Sequence, residues 1–198
     1  MLYSEAKMRQ VFSENDILDA GMAVVRKSGH EAVTMRSIAH EAGCSVQPIY
    51  SMFADKESLM DALYDYALEW IREYNVEHSG DGCNELSSVG LTHIRLAQDE
   101  PNLFTFVYLS PHRKAKTMEE IAEIAEQPGI IERVIDRFNI SEESAHTLYF
   151  DMAIFVHGLA SLIVTGASFS IDEIREHINT VFYSIAQRVG LEWDAGWK

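Results

Sequence analysis

Apolar residues recur along this chain at intervals of three and four, and no stretch alternates at every second position for long enough to make a convincing strand. Ile17, Ala20, Gly21, Val24 and Val25 form the first stripe. It follows Ser13 and Asp16, whose spacing suits a helix start closed by reciprocal side-chain bonds. Lys27-Ser28-Gly29-His30 predicts the end of that helix, with Gly29 placed for a left-handed cap. Thr34 predicts the cap of a short helix carrying Met35, Ile38 and Ala39, which Ala42-Gly43-Cys44 stops. Ser45 predicts the cap of another short helix, running to about Tyr50. Asp55 caps a long one with Leu59, Leu63, Ala67, Trp70, Ile71 and Tyr74 along one face.

Glu77–Gly82 has no apolar period and reads as a loop, a candidate break between two parts. Further helices are expected from about Asn84 to Gln98, and from Pro101 through Phe104 and Val107. Thr117 with Glu120 predicts another capped start, after a basic loop at Ser110–Lys116. Pro128-Gly129 interrupts that helix, and Ile130–Phe138 resumes the pattern. From Ser141 to about Thr165 apolar residues lie nearly all round, which predicts a helix buried on most sides. From Ser170, with Glu173 three residues on, Ile171, Ile174, Ile178, Val181, Phe182, Ile185 and Val189 form one stripe. The fold class is all-α: an N-terminal three-helix unit at 1–54, then a larger helical domain at 55–198, with about nine helices.

Composition narrows the function. The 198 residues carry a net charge of −15, which argues against a general nucleic-acid coat. Yet residues 1–60 hold only −2 of that charge, so the acidity sits mainly in the larger part. Two cysteines, Cys44 and Cys83, cannot make a disulfide framework and predict reduced thiols in a cytoplasmic protein. No uninterrupted run of about 18 apolar residues predicts a membrane span. The first residues do not read as a signal peptide.

Residues 34–53 carry the most chemistry. A support helix from Thr34, a turn at Gly43 and a second helix from Ser45 have the spacing of a helix-turn-helix, with Ile38, Ala39, Val46, Ile49 and Phe53 available to close a small core. The second helix spans only about seven residues, roughly 10 Å at 1.5 Å per residue, so few side chains reach base edges. The run from Thr34 to Met60 resembles the DNA-binding domain of TetR-family transcriptional regulators. Thr34, Ile38-Ala39, Ala42-Gly43, Ser45, Ile49-Tyr50, Phe53, Lys56-Glu57 and Leu59 carry the likeness, and Ile17–Gly29 matches the family's first helix. Glu100-Pro101-Asn102-Leu103-Phe104 and His157-Gly158-Leu159-Ala160 resemble one ligand-domain subtype of that family, with Val156 where an aromatic usually stands.

The resemblance implies roles. Thr34 would cap the support helix and offer its hydroxyl and N–H groups to a phosphate, and Lys56 would hold another. Tyr50 would pack its ring against the core and turn its hydroxyl to the DNA backbone. Ser45, Val46, Gln47 and Ser51 would face the groove, with Gln47 able to bond adenine in two places. Val46 and Met52 depart from the family's usual Lys or Arg and polar aromatic. The basic supply is thin (Lys7, Arg9, Arg26, Lys27, Arg36 and Lys56), which predicts a shallow salt dependence of DNA binding.

The larger part crowds aromatics. Phe104, Tyr108, Tyr149 and Phe155, with Met118, Met152 and His157, are candidates to line an apolar ligand pocket. Each has a plainer reading as ordinary core, and His157 a further one as a hydrogen-bonded core histidine or part of a dimer seam beside Gly158. Glu143 and His146 have E-x-x-H spacing, but a di-iron bundle needs a second such pair, and the chain has none. Cys44 reads as a small buried residue rather than a redox switch. No metal, cofactor or catalytic constellation is expected.

These readings converge on a homodimeric, ligand-responsive repressor of a palindromic double-stranded DNA operator, with the last two helices as the dimer seam and a small molecule as effector. A helical enzyme or small-molecule-binding protein using the C-terminal cavity without DNA, and a helical adaptor, are the other classes the sequence leaves open.

Overall fold

A computed structural model describes residues 11–78, 85–125 and 129–191. Among them every regular element is helical. In order they are α1 (Glu14–Ser28), α2 (Met35–Glu41), α3 (Val46–Met52), α4 (Lys56–Glu77), α5 (Glu85–Asp99), α6 (Pro101–Phe104), α7 (Met118–Ala125), α8 (Ile130–Phe138), α9 (Glu142–Val164) and α10 (Ile171–Arg188). A 3-10 turn at His30–Ala32 follows α1, and a π-helical segment at Thr105–Leu109 follows α6.

Local chemistry sets most boundaries. Ser13 accepts from the Asp16 N–H while the Asp16 carboxylate accepts from the Ser13 N–H, closing the start of α1. Thr34 with Ser37, Asp55 with Ser58, and Ser170 with Glu173 close α2, α4 and α10 in the same reciprocal way. Thr117 and Glu120 exchange the same bonds at α7. Ser141 accepts from the Ser144 N–H at α9, and Pro101 occupies the first turn of α6. Each satisfies N–H groups that a helix start would otherwise leave unpaired. Two expected caps differ. Ser45 stands at the cap position of α3, but its side chain makes no capping bond. Gly29 has φ +79 with ψ 162, so the chain leaves α1 extended rather than curling into a left-handed cap.

Two apolar clusters organise the molecule. The first joins α1, α2 and α3 through Ile17, Val25, Ile38, Ile49 and Phe53, and runs on without a break into α4 and the 103–108 segment. The second lies among α5, α8, α9 and α10 around Ile94, Leu148, Met152, Val156, Ile178 and Phe182. Polar ties brace the junction. The Arg26 guanidinium forks onto the Glu100 carboxylate, with Nε donating to Oε2 at 2.8 Å, and lies over the Trp70 ring. Asn102 Nδ2 donates to the Arg26 carbonyl at 2.9 Å. The Glu100–Phe104 run of the sequence is therefore the seat on which the end of α1 rests.

α9 is the hub of the larger part, packed against α5, α6, α7, α8 and α10. By length and composition alone its 23 residues, with mean hydropathy 1.7 in an 18-residue window, could cross a membrane, a test that the core helix of a soluble protein also passes. One expectation fails here: α9 is not buried on most sides. Ala145, Leu148, Tyr149, Met152, Val156 and Ala160 face inward, whereas Leu162 is 52% exposed and Phe155 and Leu159 are half-buried. One flank of a largely apolar helix is uncovered.

Candidate nucleic-acid interface and helical-domain cavity

The turn between α2 and α3 depends on one residue. Gly43 sits at φ +68, a conformation that other residues adopt only with strain, and it lets the Cys44 N–H return to the Ala39 carbonyl at 2.9 Å. α3 then buries only Ile49 of its seven residues, with Phe53 closing the core behind it. Val46 and Met52 are half-buried and pack against that core, while Ser45, Gln47, Tyr50 and Ser51 are exposed. Ser45, Gln47 and Ser51, with Phe12, Gly43, Cys44, Pro48 and Met52, line a shallow concave face.

Three expected roles change in detail. The Tyr50 ring is 57% exposed, so it does not pack against the core; a helix this short presents one buried stripe, and Ile49 fills it. The Thr34 hydroxyl already accepts from the Ser37 N–H at 3.0 Å, and the Thr34 N–H donates to Ser37 Oγ at 2.8 Å, so both are engaged in capping. Ser51 Oγ donates to the Pro48 carbonyl at 2.6 Å and keeps only acceptor capacity for another group.

The cations divide. Lys27, Arg36 and Lys56 are exposed and make no ion pair among the described residues. Arg26 is bound to Glu100, whose hydrogen bonds hold its guanidinium still more firmly protonated. Lys7 and Arg9 lie outside the described residues, as do Cys83 and most of the Glu77–Gly82 loop. Burial raises the Cys44 thiol above its ordinary value, which works against a reactive thiolate. Glu143 and His146 are exposed, and the described residues hold no group of three or more metal-ligating side chains.

The second site is internal. A cavity of about 50 Å³ lies between α5, α9 and α10. Leu86, Ser87, Val89, Gly90 and His93 wall it from α5. Tyr149, Met152, Ala153, Ile154, Val156 and His157 do so from α9, Ile178, Asn179 and Phe182 from α10, and Ile121 from α7. Three of the expected pocket residues, Tyr149, Met152 and His157, line it. Phe104 and Tyr108 do not: both are fully buried and stack behind it. Phe155 does not line it either, and the side chain of Met118 lies outside the described residues.

The residue missed in the sequence is His93. It continues the apolar stripe of Leu86 and Val89 on α5, where a histidine reads as core. Its Nε2 lies 3.2 Å from His157 Nδ1, and its ring packs edge-on against Tyr108 at 4.9 Å and Phe104 at 5.1 Å. Burial, then the neighbouring His157, pushes the His93 pKa down to about 3. Burial, then the charge of Arg113, also lowers His157. The two rings are therefore a neutral, hydrogen-bonded pair at neutral pH. Beside them the Tyr108 hydroxyl is buried with no hydrogen-bond partner, and burial raises its pKa.

The π-helical segment joins the two sites. On one side Phe106 stacks on His30, in the turn after α1, at 5.9 Å and 21°, and meets Tyr64 of α4 edge-on at 5.8 Å. On the other side Phe104 and Tyr108 hold the histidine pair.

An outward helix-turn-helix on a helical bundle with a partly open cavity is an arrangement suited to a DNA-binding regulator. Residues 17–63 match the family model of bacterial regulatory proteins, tetR family. Among solved structures the chain is similar to a TetR-family transcriptional regulator from Streptomyces coelicolor, with 18% identity and a TM-score of 0.58 over 88% of this chain and 98% of that one. It is also similar to the multidrug binding protein EbrR complexed with imidazole, at 18% identity and a TM-score of 0.57, over 93% of this chain and 97% of that one. A TetR family protein from Vibrio parahaemolyticus aligns at 19% identity and 0.55, over 86% and 96%. No curated protein matches the chain. At these identities the structural likenesses establish the fold alone. The family match covers residues 17–63, from α1 into α4, and together with that fold it supports a TetR-family transcriptional regulator.

Proposed function

We propose that this regulator is a cytoplasmic repressor that binds a palindromic DNA operator as a homodimer and leaves it when a small molecule occupies the cavity. The observation that carries the reading is the outward face of α3, which buries one residue and leaves Ser45, Gln47, Tyr50 and Ser51 to solvent. A packing motif without DNA would hide such a face. Residues 1–54 are then the DNA-binding domain and 55–198 the effector-binding and dimerisation domain. Thr34, Arg36, Tyr50 and Lys56 sit where they would meet phosphates, and Ser45, Val46, Gln47 and Ser51 where they would meet bases.

A helix of seven residues reads too few base pairs to find a site in a genome, so the reading needs two copies. The uncovered flank of α9 supports this. Leu162 and, on α10, Ile171 are about half exposed, and a Cβ at Gly158 would meet nothing within 4 Å, which leaves room for a second helix to approach. Two copies of α9 and α10 make a four-helix bundle. The cavity supplies a place where an effector binds one arrangement of the dimer better than another and so shifts DNA affinity by linkage.

The test is a mobility shift against DNA flanking the gene of this protein, with light scattering on the same sample. The expected result is a saturable shift that scrambled DNA does not compete, from a particle of twice the 22.4 kDa chain mass. Equal affinity for scrambled DNA would refute the reading, and a monomer would refute its dimeric half.

A further inference from the structure

The cavity's lining holds a specific chemical message. Ser87, His93, His157 and Asn179 are its polar side chains with hydrogen-bonding capacity besides the Tyr149 hydroxyl, and among the described residues no carboxylate, ammonium or guanidinium lines it. The cation whose charge reaches His157 is Arg113, which donates from Nη1 to the Tyr108 carbonyl and from Nε to the Ala115 carbonyl, each at 2.9 Å. An ion in this space would lose its hydration with no opposite charge to meet it, which is prohibitive for a small ligand. The acidic surface of the chain therefore says nothing about the effector.

The histidine pair is suited to a neutral group. One ring donates and the other accepts across the 3.2 Å contact. Whichever tautomer holds the proton, the two remaining ring nitrogens are one donor and one acceptor. Shifting both protons exchanges the ends. The pair can thus meet either a carbonyl or a hydroxyl without any change of charge. Tyr108, outside the cavity lining, packs its ring on both histidines from behind and helps hold them in place. The surrounding walls are apolar, and Met152, an unbranched side chain, can turn to enlarge a space of about 50 Å³.

We infer that the effector site takes an uncharged, compact, mainly apolar molecule with one hydrogen-bonding group, such as an alcohol or ketone, and that His93 and His157 read that group. The inference rests on the regulator reading for the word effector, but its chemistry is a property of the cavity alone.

A matched set of probes tests it: benzyl alcohol, benzylamine as its cation, benzoate and toluene, titrated into the full-length protein by calorimetry at neutral pH. Benzyl alcohol is expected to bind about tenfold more tightly than toluene, the worth of one good hydrogen bond, with both ions weaker still. In His157→Phe, whose position is half-buried, the alcohol and toluene are expected to bind equally. His157→Gln, which keeps a donor and an acceptor, is expected to restore the preference. Circular dichroism confirms folding of each variant. Binding of either ion as tight as the alcohol, an alcohol preference that survives His157→Phe, or no binding by any probe would overturn the inference. The DNA titration is read separately. A protein that shifts DNA but fails the probe set loses only this inference, and one that prefers the alcohol yet ignores DNA loses only the regulator reading.

Discussion

Acid should weaken this fold before its carboxylates titrate, and His93 is the reason. An unfolded histidine takes up its proton near pH 6.5, whereas the folded His93 refuses one until about pH 3. Below pH 6.5 the unfolded chain binds a proton that the folded chain does not, so stability falls as the pH falls. Each pH unit in that window costs about 1.4 kcal/mol, and from pH 7 to pH 5 the loss comes to about 2 kcal/mol from His93 alone. His157 acts in the same direction. The capping carboxylates Asp16, Asp55, Glu120 and Glu173 are held below their ordinary values by the N–H groups they accept from, so their contribution is lost only at lower pH. Urea unfolding of the native chain and of His93→Phe, at pH 7 and pH 5 and one protein concentration, isolates the effect. The native chain should lose about 2 kcal/mol more than the variant between the two conditions. Equal losses would mean that His93 accepts a proton in the folded state and that the neutral pair does not exist.

The outer surfaces carry three further expected outcomes. Gln47→Ala should relax base choice at one position of each half-site, costing about 1–3 kcal/mol of discrimination there, while Lys56→Ala should weaken all sequences alike; binding-site selection separates the two, and unchanged preferences in Gln47→Ala would mean another residue reads that base. Because Arg26 is held by Glu100, the salt dependence of operator binding should be shallow, and a log–log slope near about ten per dimer would contradict it. Leu162→Glu places a charge on the uncovered flank of α9 and should shift the protein to monomer in light scattering, with circular dichroism unchanged; a persistent dimer would place the seam elsewhere.

The helix starts were legible because their causes are local. Ser13 with Asp16, Asp55 with Ser58 and Ser170 with Glu173 each act across three residues, and a helical apolar period runs on from each pair. The DNA-facing helix was legible for the same reason. The features that escaped depend on distant partners. Arg26 read as part of the basic supply until Glu100, 74 residues away, claimed it. His93 drew no notice because its partner is 64 residues off on another helix. Tyr50 resembled a core aromatic, and only the packing shows that Ile49 leaves it no room. The apolar circuit of α9 likewise cannot say, as a pattern, which side the chain's own helices will cover.

Thr105–Leu109 has a mechanical corollary. Phe104 and Tyr108, four residues apart, look toward the histidines, and Phe106 between them looks the other way, onto His30 and Tyr64. The rings behind the histidine pair and the ring beneath the turn after α1 are thus carried on opposite faces of one short strip of backbone, so a displacement of that strip would move both sets of rings together.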